Sequence, residues 1–268
     1  MQKSNWFVVP AALLSVFFLL PGCGGRPRPG AAAQAEVTAD GASADSCENP
    51  VRCNESCLAM FELTGPVETC RVENWQTGTA EGEYEEADMM WSRNYGFNRR
   101  GYLLFDGCSE YTYQADTVFL YGEDAQAGMS ASLAYDAAGR IVAQKLEYEG
   151  DAVGDGEQST EFSYDGAGRL TRTDAVLWET EVETVYTYDA EGRLVTRRET
   201  AHGCDGDTER VYNYEYVKFD DRGNWTERRA TVQKTAVQPI EGHEHEQSEV
   251  VRYPDAYQFE LREITYYE

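Results

Sequence analysis

One heptapeptide pattern recurs along the chain: YDAAGRI at 135–141, YDGAGRL at 164–170 and YDAEGRL at 188–194. Looser copies are FNRRGYL at 97–103 and FDDRGNW at 219–225. Asp and Gly three residues apart suit a type I turn joined to a glycine bulge, because the Asp side chain bonds ahead along the backbone and Gly accepts a positive φ. The pattern therefore predicts five β-hairpin turns. The Asp and Gly residues of the three closest copies and of the last one are Asp136, Gly139, Asp165, Gly168, Asp189, Gly192, Asp220 and Gly223.

The same pattern assigns an inner and an outer face to each turn. A glycine bulge places Tyr188 opposite Leu194 across the hairpin, and Asp189 opposite Arg193. In all five copies the first pair is apolar and the second pair is polar. We therefore interpret the Asp residues as turn formers, and not as a row of ligand or metal sites.

The segments between the turns favour strands. TEFSYD, VETVYTYD and RVYNYEYVKFD alternate in polarity and are rich in Thr, Val and Tyr, and no stretch beyond residue 66 has convincing helical periodicity. We predict an all-β fold, an antiparallel meander of repeated β-hairpins in which neighbours complete one another's core. Strict alternation would place Arg172, Arg198 and Arg229 on the inner side, which favours a narrow core or burial on alternating faces.

The beginning of the chain has the order of an export signal. Lys3 precedes an apolar run from Trp6 to Leu20, which is shorter than the roughly 20 residues of a membrane-spanning helix. Leu20-Pro21-Gly22-Cys23 resembles the lipobox of bacterial lipoproteins, in which the cysteine is diacylated, freed by cleavage and acylated again. The resemblance implies a signal peptide at 1–22 and a lipidated Cys23 that holds the protein on a membrane without spanning it. The alternative is an ordinary signal peptide with Cys23 as a spare thiol.

Residues 23–46 contain mainly Gly, Pro, Ala and Ser, and almost no large apolar side chain. This composition cannot offset the entropy of ordering the backbone, so we predict a disordered tether. By the same lipoprotein resemblance, Gly24 is not the aspartate that retains lipoproteins at the inner membrane. A location at the outer membrane, periplasmic or surface-facing, is therefore favoured.

The chain is strongly acidic, with 48 Asp and Glu against 23 Lys and Arg. Removal of residues 1–22 takes away Lys3 and no acid, so the formal net charge falls from −25 to −26. Phosphate contacts need clustered Lys and Arg, so the charge excludes nucleic acid as an expected partner. The excess also repels the protein from anionic lipid headgroups, although solubility alone is a sufficient reason for it.

Six cysteines remain once Cys23 is lipidated. An even number in an exported protein suggests disulfides, and four of the six fall between residues 47 and 70. We predict one or two bridges that staple a small Cys-rich segment at 47–90. Zinc is the rival interpretation, but the spacing has no paired CxxC. The candidate disulfide cysteines are Cys47, Cys53, Cys57, Cys70, Cys108 and Cys204.

The three close copies of YDxxGRL resemble the YD repeats of Rhs-type proteins. FDDRGNWTERR at 219–229 looks like the variant that is common in small exported bacterial proteins. The resemblance covers roughly residues 91–230, and we assign 91–268 to the repeat domain. In large relatives the repeats form a β-sheet shell around a toxin, and some are credited with carbohydrate binding. This chain has too few repeats for a shell and no room for a C-terminal toxin, so the resemblance implies the hairpin sheet alone.

Catalytic motifs are weak. GMSAS at 128–132 lacks the second glycine of a nucleophile elbow, and GDAVGDG at 150–156 lacks the lysine of a phosphate loop. Acids are so abundant that they do not single out a glycosidase pair, which is defined by the separation of its carboxylates. We predict no catalytic residues and no cofactor.

Two segments suggest metal sites weakly. Residues 151–162 match a calcium loop at Asp151, Asp155 and Gly156, but Phe162 replaces the bidentate glutamate. His243 and His245 would share one face of a strand, although the polar run around them favours an exposed loop. We therefore predict no metal.

RVYNYEYVKFD at 210–220 offers one candidate ligand face. If Phe219 shares a face with Val217 and Val211, the opposite face carries a row of tyrosines, and hairpin pairing brings an arginine beside them. Exposed tyrosines next to an arginine suit sugar stacking or a protein partner. The alternative is that a second layer covers this face and the tyrosines belong to the core, which is the more common role of aromatic residues on a strand. The residues of the candidate face are Tyr212, Tyr214, Tyr216 and Arg228.

These features support three hypotheses about function. The leading one is a non-catalytic lipoprotein of the bacterial cell envelope, whose repeat sheet binds or scaffolds a glycan or an envelope protein. The second is an envelope hydrolase that acts on glycans through carboxylates in its loops. The third is an accessory or immunity-type partner of larger Rhs-like proteins.

Overall fold

Strands make up most of the described part of the chain. The computed structural model describes residues 58, 60–80, 88–107, 109–114, 117–122, 129–148, 158–177, 180–203, 206–239 and 248–268. The strands are β1 (Val67–Thr77), β2 (Asp88–Phe97), β3 (Leu103–Phe105), β4 (Ser109–Gln114), β5 (Thr117–Gly122), β6 (Met129–Tyr135), β7 (Ile141–Tyr148), β8 (Gln158–Tyr164), β9 (Leu170–Leu177), β10 (Thr180–Tyr188), β11 (Leu194–His202), β12 (Thr208–Phe219), β13 (Trp225–Pro239), β14 (Ser248–Arg252) and β15 (Ala256–Tyr266). Within those ranges, no helix has the length and hydropathy needed to cross a bilayer.

The strands form one antiparallel sheet of 15 strands that closes on itself. From β1 to β13, each strand pairs with the strand that follows it in the chain. The strand β13 also pairs with β15, and β15 pairs in turn with β1. The strand β14 lies outside this ring, beside the last residues of β13. The predicted all-β meander of hairpins is confirmed, and closure adds an interior that the meander alone does not imply.

The five predicted turns are confirmed in backbone geometry. In each turn the residue before the Asp or Asn pairs with the apolar residue six places later, as Tyr188 does with Leu194. The backbone N–H of Asp189 donates to the carbonyl of Arg193 at 2.9 Å, and Gly192 has a φ of 85°. The Asp189 carboxylate accepts from the backbone N–H and the Nε–H of Arg193 at 2.8 and 2.7 Å. The turn residues therefore have the structural role that the pattern predicts.

Successive turns are connected to one another. In the last three repeats, a tyrosine hydroxyl donates to the carbonyl of the apolar residue in the preceding repeat: Tyr164 to Ile141 at 2.7 Å, Tyr188 to Leu170 at 2.7 Å and Tyr216 to Leu194 at 3.0 Å. The turn arginine of one repeat also lies over the tyrosine ring of the next: Arg140 over Tyr164 at 4.7 Å and Arg169 over Tyr188 at 4.9 Å. These contacts stack the hairpins in register at one end of the sheet, here called the turn end.

A second irregularity follows the turns. After the turn at 188–194, the residue pair next to Tyr188–Leu194 is Thr187–Thr196, so Val195 has no partner in the register. The extra residue reverses the alternation of β11, so that Arg197 faces the interior and Arg198 faces solvent. Equivalent skips occur at residues 142, 171 and 226.

These skipped residues correct one prediction. Strict alternation placed three arginines on the inner face, but the side chains of Arg172 and Arg198 are 49% and 60% exposed. Arg229 also faces outward and donates to the carbonyl of Ala80 at 2.9 Å. All three arginines therefore lie on the outer face of the sheet, and their positions do not indicate burial on alternating faces.

Apolar side chains fill the interior at the turn end. The inner-face residues Phe97, Leu103, Ile141 and Leu194 are at most 1% exposed. The segment that precedes β1 also enters here, and Phe61 packs edge-to-face against Tyr95 and Phe97 with ring centroids 5.0 Å apart. Burial of a side chain of this size stabilises the fold by roughly 1.5–3 kcal/mol.

The predicted boundary at residue 90 does not separate two units, because β1 and β2 belong to the same sheet as the repeats and β2 crosses that position. Cys70 lies on the inner face of β1, fully buried, with a free thiol. Its neighbours in register are Ile264 and Tyr95, so Cys70 has no disulfide partner among the described residues. The other five candidate cysteines lie outside the described residues.

Candidate functional site

The predicted tyrosine row lies inside the closed sheet. Tyr212 and Tyr214 are 2% and 9% exposed, Arg228 is 2% exposed, and Tyr216 packs against the core. The expectation of an exposed ligand face is therefore wrong, and the alternative, that the tyrosines are core, is correct. The layer that covers them is the rest of the same sheet.

The residue pairs across this hairpin agree with the prediction, but the side of the strand on which Phe219 lies does not. Tyr216 pairs with Arg228, as expected. Between that pair and the Phe219–Trp225 pair, however, Val217 and Thr226 are both skipped, so one residue pair lies there instead of two. Phe219 therefore stacks on Tyr216, with ring centroids 5.7 Å apart, and shares its side of the strand.

Arg228 is the centre of a buried charged cluster. Its Nη1 lies 2.7 Å from Oε2 of Glu62, and its Nε lies 2.5 Å from Oε2 of Glu260. The guanidinium also lies 4.1 Å from the ring centroids of both Tyr214 and Trp225. Burial alone would lower the pKa of Arg228, but the carboxylates of Glu260 and Glu62 raise it well above its ordinary value.

Glu62 reaches this cluster from the segment that precedes β1. It is the non-glycine residue of the described chain with a positive φ, at 53°, a conformation that costs about 1–2 kcal/mol. Its carboxylate accepts from Arg228 and from the indole of Trp225 at 3.4 Å, and it shares the hydroxyl proton of Tyr216, 3.0 Å away, with the carbonyl of Leu194. Arg262 donates to its carbonyl at 3.4 Å and stacks on Trp225 at 3.5 Å. These contacts hold the segment in the turn end despite its backbone strain.

Arg197 occupies the next interior layer and has a different environment. It is 2% exposed and lies 3.9 Å from the ring centroid of Tyr212, with which it pairs across β11 and β12. Tyr186 faces it from β10. Within the described residues, Nε and Nη2 of Arg197 have no hydrogen-bond partner, and neither does the hydroxyl of Tyr214. Buried groups of this kind are rare in folded proteins, and most of them contact water, an ion or a ligand.

An ion pair lies one layer farther from the turn end. Glu199 and Arg210 are partners in register, with Nη1 and Oε1 2.7 Å apart. Their side chains are 15% and 21% exposed, against 2–3% for Glu260 and Arg228. The Glu199–Arg210 layer is therefore more exposed than the Arg228 layer, and Arg197 lies between the two.

The hydroxyl of Tyr186, the residue that pairs with Arg197, remains protonated at neutral pH. Burial raises the pKa of Tyr186 to about 12, although Arg197 opposes this shift. Burial likewise raises the pKa of the Tyr214 hydroxyl. The layer thus presents a permanent cation, since arginine keeps its proton, surrounded by neutral hydroxyl groups. Such a layer can bind an anion but offers no group suited to proton transfer near neutral pH.

The remaining predicted sites lie elsewhere. Cys23, the histidines at 243 and 245, and the three matching residues of the calcium-like loop at 151–162 (Asp151, Asp155 and Gly156) lie outside the described residues. Within the described ranges, no three His, Cys, Asp or Glu side chains come together as a metal site. Three turn aspartates, at 136, 165 and 189, contact their own turn arginines, whereas Asp220 accepts from the hydroxyl of Tyr266.

Sequence reasoning missed Arg197, Glu62 and Arg262. Arg197 lies in a run of two arginines in β11, and only the skipped Val195 determines which of the two faces inward. Glu62 precedes the sheet by sequence and meets Arg228 over a separation of 166 residues. The sequence does contain one signal. Two consecutive arginines on a strand must point to opposite faces, so one of the two arginines at 197 and 198 had to face the interior.

Comparisons with known proteins add little. No family model matches the chain, and no curated protein matches it. Among solved structures, it is similar to a porin-like protein from Bacteroides uniformis, at 11% identity and a TM-score of 0.42, over 75% of this chain and 98% of that one. A porin-like protein from Bacteroides vulgatus is similar at 12% identity and a TM-score of 0.37, over 73% and 97%. At these scores the similarity does not bear on function.

Proposed function

We propose that this protein is a non-catalytic binding module of the bacterial cell envelope, attached to a membrane through a lipidated Cys23. Its ligand enters the closed sheet and is held in the interior layer of Arg197, Tyr186 and Tyr212. The tether at 23–46 places the sheet at a distance from the bilayer. The lipobox favours the outer membrane, as a periplasmic or surface-facing protein.

The observation that carries this proposal is the unpaired guanidinium edge of Arg197 among the described residues. Burial alone would lower the pKa of Arg197, but Tyr214, Tyr212 and Glu199 raise it, so the charge itself is stabilised. Buried N–H groups without a hydrogen-bond partner are nevertheless costly, and proteins retain such groups where function requires them. The carboxylates at the turn end, Glu62 and Glu260, are already paired with Arg228, and neither forms an ion pair with Arg197. The layer around Arg197 is therefore the part of the interior that suits a ligand.

The rigidity of the sheet supports binding in place of catalysis. Hairpins that are connected turn to turn position the interior side chains before a ligand arrives, which reduces the entropy lost on binding. The interior glutamates Glu62 and Glu260 both form ion pairs with Arg228. A glycan or a peptide that reaches into the interior from the end opposite the turns is the class of ligand we expect.

Attachment to the membrane is tested by fractionation of cells. We expect the wild-type protein in the membrane fraction and Cys23→Ser in the soluble fraction, with a mass at the mature amino terminus that includes acyl chains only in the wild type. An unlipidated wild-type protein would contradict the anchor.

Binding is tested by in-cell crosslinking of the anchored protein, followed by mass spectrometry and by a screen against glycans and envelope extracts. Arg197→Met should lose the retained ligand, and Arg172→Met is the matched control, because Arg172 is exposed and paired with Asp174. Measurable turnover of an envelope glycan without a retained ligand would instead support a hydrolase.

A further inference from the structure

We propose that Arg197 holds a carboxylate group of the ligand inside the closed sheet, and that the ligand is a small monoanionic acid or the carboxylate of a larger molecule. This inference rests on the proposed binding function and specifies its chemistry. The two free nitrogens of Arg197, Nε and Nη2, form one edge of its guanidinium. That edge presents two parallel N–H groups, and a carboxylate matches them with its two oxygens.

The chain itself shows how this edge is normally filled. Arg172 uses the same edge on Asp174, with Nε 2.7 Å from Oδ2 and Nη2 2.7 Å from Oδ1. Arg140 likewise places both atoms on the Asp136 carboxylate at 2.7 Å. These surface arginines of an acidic protein are thus satisfied by acids, whereas the edge of the buried Arg197 has none among the described residues.

In the part of the chain that the structure describes, no Asp or Glu side chain pairs with the Nε/Nη2 edge of Arg197. Glu199 is the nearest carboxylate along the strand, and it is paired with Arg210 at 2.7 Å. Glu260 and Glu62 are held by Arg228. Arg262 also has a free Nε, but its Nη2 donates to the carbonyl of Phe61, so it does not offer a complete edge.

The surroundings favour a carboxylate over a polyanion. The protein carries a formal charge of −25, and Glu199 lies in the adjoining layer, so a multiply charged phosphate would be repelled more strongly. Tyr186 pairs with Arg197 in register, and the hydroxyls of Tyr186 and Tyr214 are neutral, so neither adds a negative charge that would repel an anion. The ring of Tyr212 covers one face of the guanidinium at 3.9 Å, which leaves the edge as the direction of approach.

The test uses sodium formate as the probe, the smallest carboxylate, with the full-length protein in detergent at constant ionic strength. Arginine Nε–H signals are followed by NMR, and the Arg197 signal is assigned through its contacts to the Tyr212 ring. We expect a saturable shift of this signal in the millimolar range, which is typical for a ligand of three heavy atoms. Formamide, which has the same shape without the charge, should cause no saturable shift, and neither should chloride.

Arg197→Lys removes the Nε–H edge and keeps the charge, so we expect formate affinity to fall by about tenfold or more. Arg172→Lys is the control and should leave the formate response unchanged. An absent wild-type response to formate, an equal response to formamide, or an unchanged affinity in Arg197→Lys would overturn the proposal. The wild-type comparison of formate with formamide decides the question even where a variant does not fold. If formate does not bind but the crosslinking experiment still finds a retained ligand, the carboxylate chemistry is rejected and the binding function is not.

Discussion

Two buried arginines in neighbouring layers of one interior have opposite environments. Arg228 lies between two glutamates and two aromatic rings, and its pairing is complete on both sides. Arg197 lies over one aromatic ring, and an entire edge of its guanidinium has no partner among the described residues. Equal burial therefore does not mean an equal role: the Arg228 layer stabilises the closed sheet, and the Arg197 layer is where a ligand can bind.

The largest effect is expected for Arg228→Met. The substitution leaves Glu62 and Glu260 buried without their cation, so the free energy of unfolding should fall by about 3–5 kcal/mol. Urea denaturation measures this change. Arg172→Met, at an exposed arginine, should change stability by less than about 0.5 kcal/mol. A loss below about 1 kcal/mol for Arg228→Met would mean that the two layers do not differ in the way described.

The turn end is tested next by Gly223→Ala. Gly223 has a φ of 86°, and a methyl group added at its Cα would meet open space, so the cost is purely that of the left-handed backbone, about 1–2 kcal/mol. Gly166→Ala is the matched control, since Gly166 lies in an equivalent turn with open space and without a positive φ. The control should be neutral or slightly stabilising in chemical denaturation. Equal effects of the two substitutions would contradict the assigned turn geometry.

A pair of Tyr→Phe substitutions separates the two regions with smaller changes. The hydroxyl of Tyr188 donates to the carbonyl of Leu170 at 2.7 Å, so Tyr188→Phe should cost about 1 kcal/mol. The hydroxyl of Tyr214 has no partner among the described residues, so Tyr214→Phe should be neutral or stabilising in the absence of ligand. Thermal denaturation of both variants in chloride buffer checks this difference. A greater loss for Tyr214→Phe than for Tyr188→Phe would reverse the comparison.

The smallest effect is expected at a turn aspartate. The backbone N–H of Arg169 and its guanidinium lower the pKa of Asp165, so the turn's contribution is present above the ordinary value of about 3.9 and is lost as the pH falls through the lowered value. Asp165→Asn keeps the acceptor for backbone N–H groups, as Asn98 does in the turn at 97–103. Its stability at pH 7 should therefore change little, and its stability below a pH of about 4 should depend less on pH than that of the wild type. Parallel acid titrations monitored by circular dichroism measure the two profiles, and identical profiles would contradict the assignment.

The difference between the two regions also explains what the sequence could predict. The turns are local: one heptapeptide contains the Asp, the Gly and the facing apolar pair, so the pattern predicts them completely. The pairing of Tyr212 with Val232 follows from the same turn and is confirmed. The turn does not determine which face of the sheet those side chains occupy. That depends on the skipped residues Val217 and Thr226, and no residue type marks a skipped position.

The candidate site depends on contacts that are distant in sequence. Glu260 lies 32 residues from Arg228, and Glu62 lies 166 residues from it, so which arginine is paired depends on how the sheet closes. The closure itself is set by β15, which enters between β13 and β1. The hairpin pattern ends before that strand and could not indicate its position.

The central claim is that Arg197 is a buried cation reserved for a carboxylate, and the most direct test is the stability of Arg197→Met in two salts. In chloride, we predict a free energy of unfolding equal to or above that of the wild type, because the variant removes two buried N–H-bearing atoms that have no hydrogen-bond partner among the described residues. In acetate at the same ionic strength, only the wild type should gain stability, in proportion to its occupancy by the anion. A loss of about 3–5 kcal/mol in chloride, like that expected for Arg228→Met, would show that Arg197 is an ordinary structural residue and would contradict the claim.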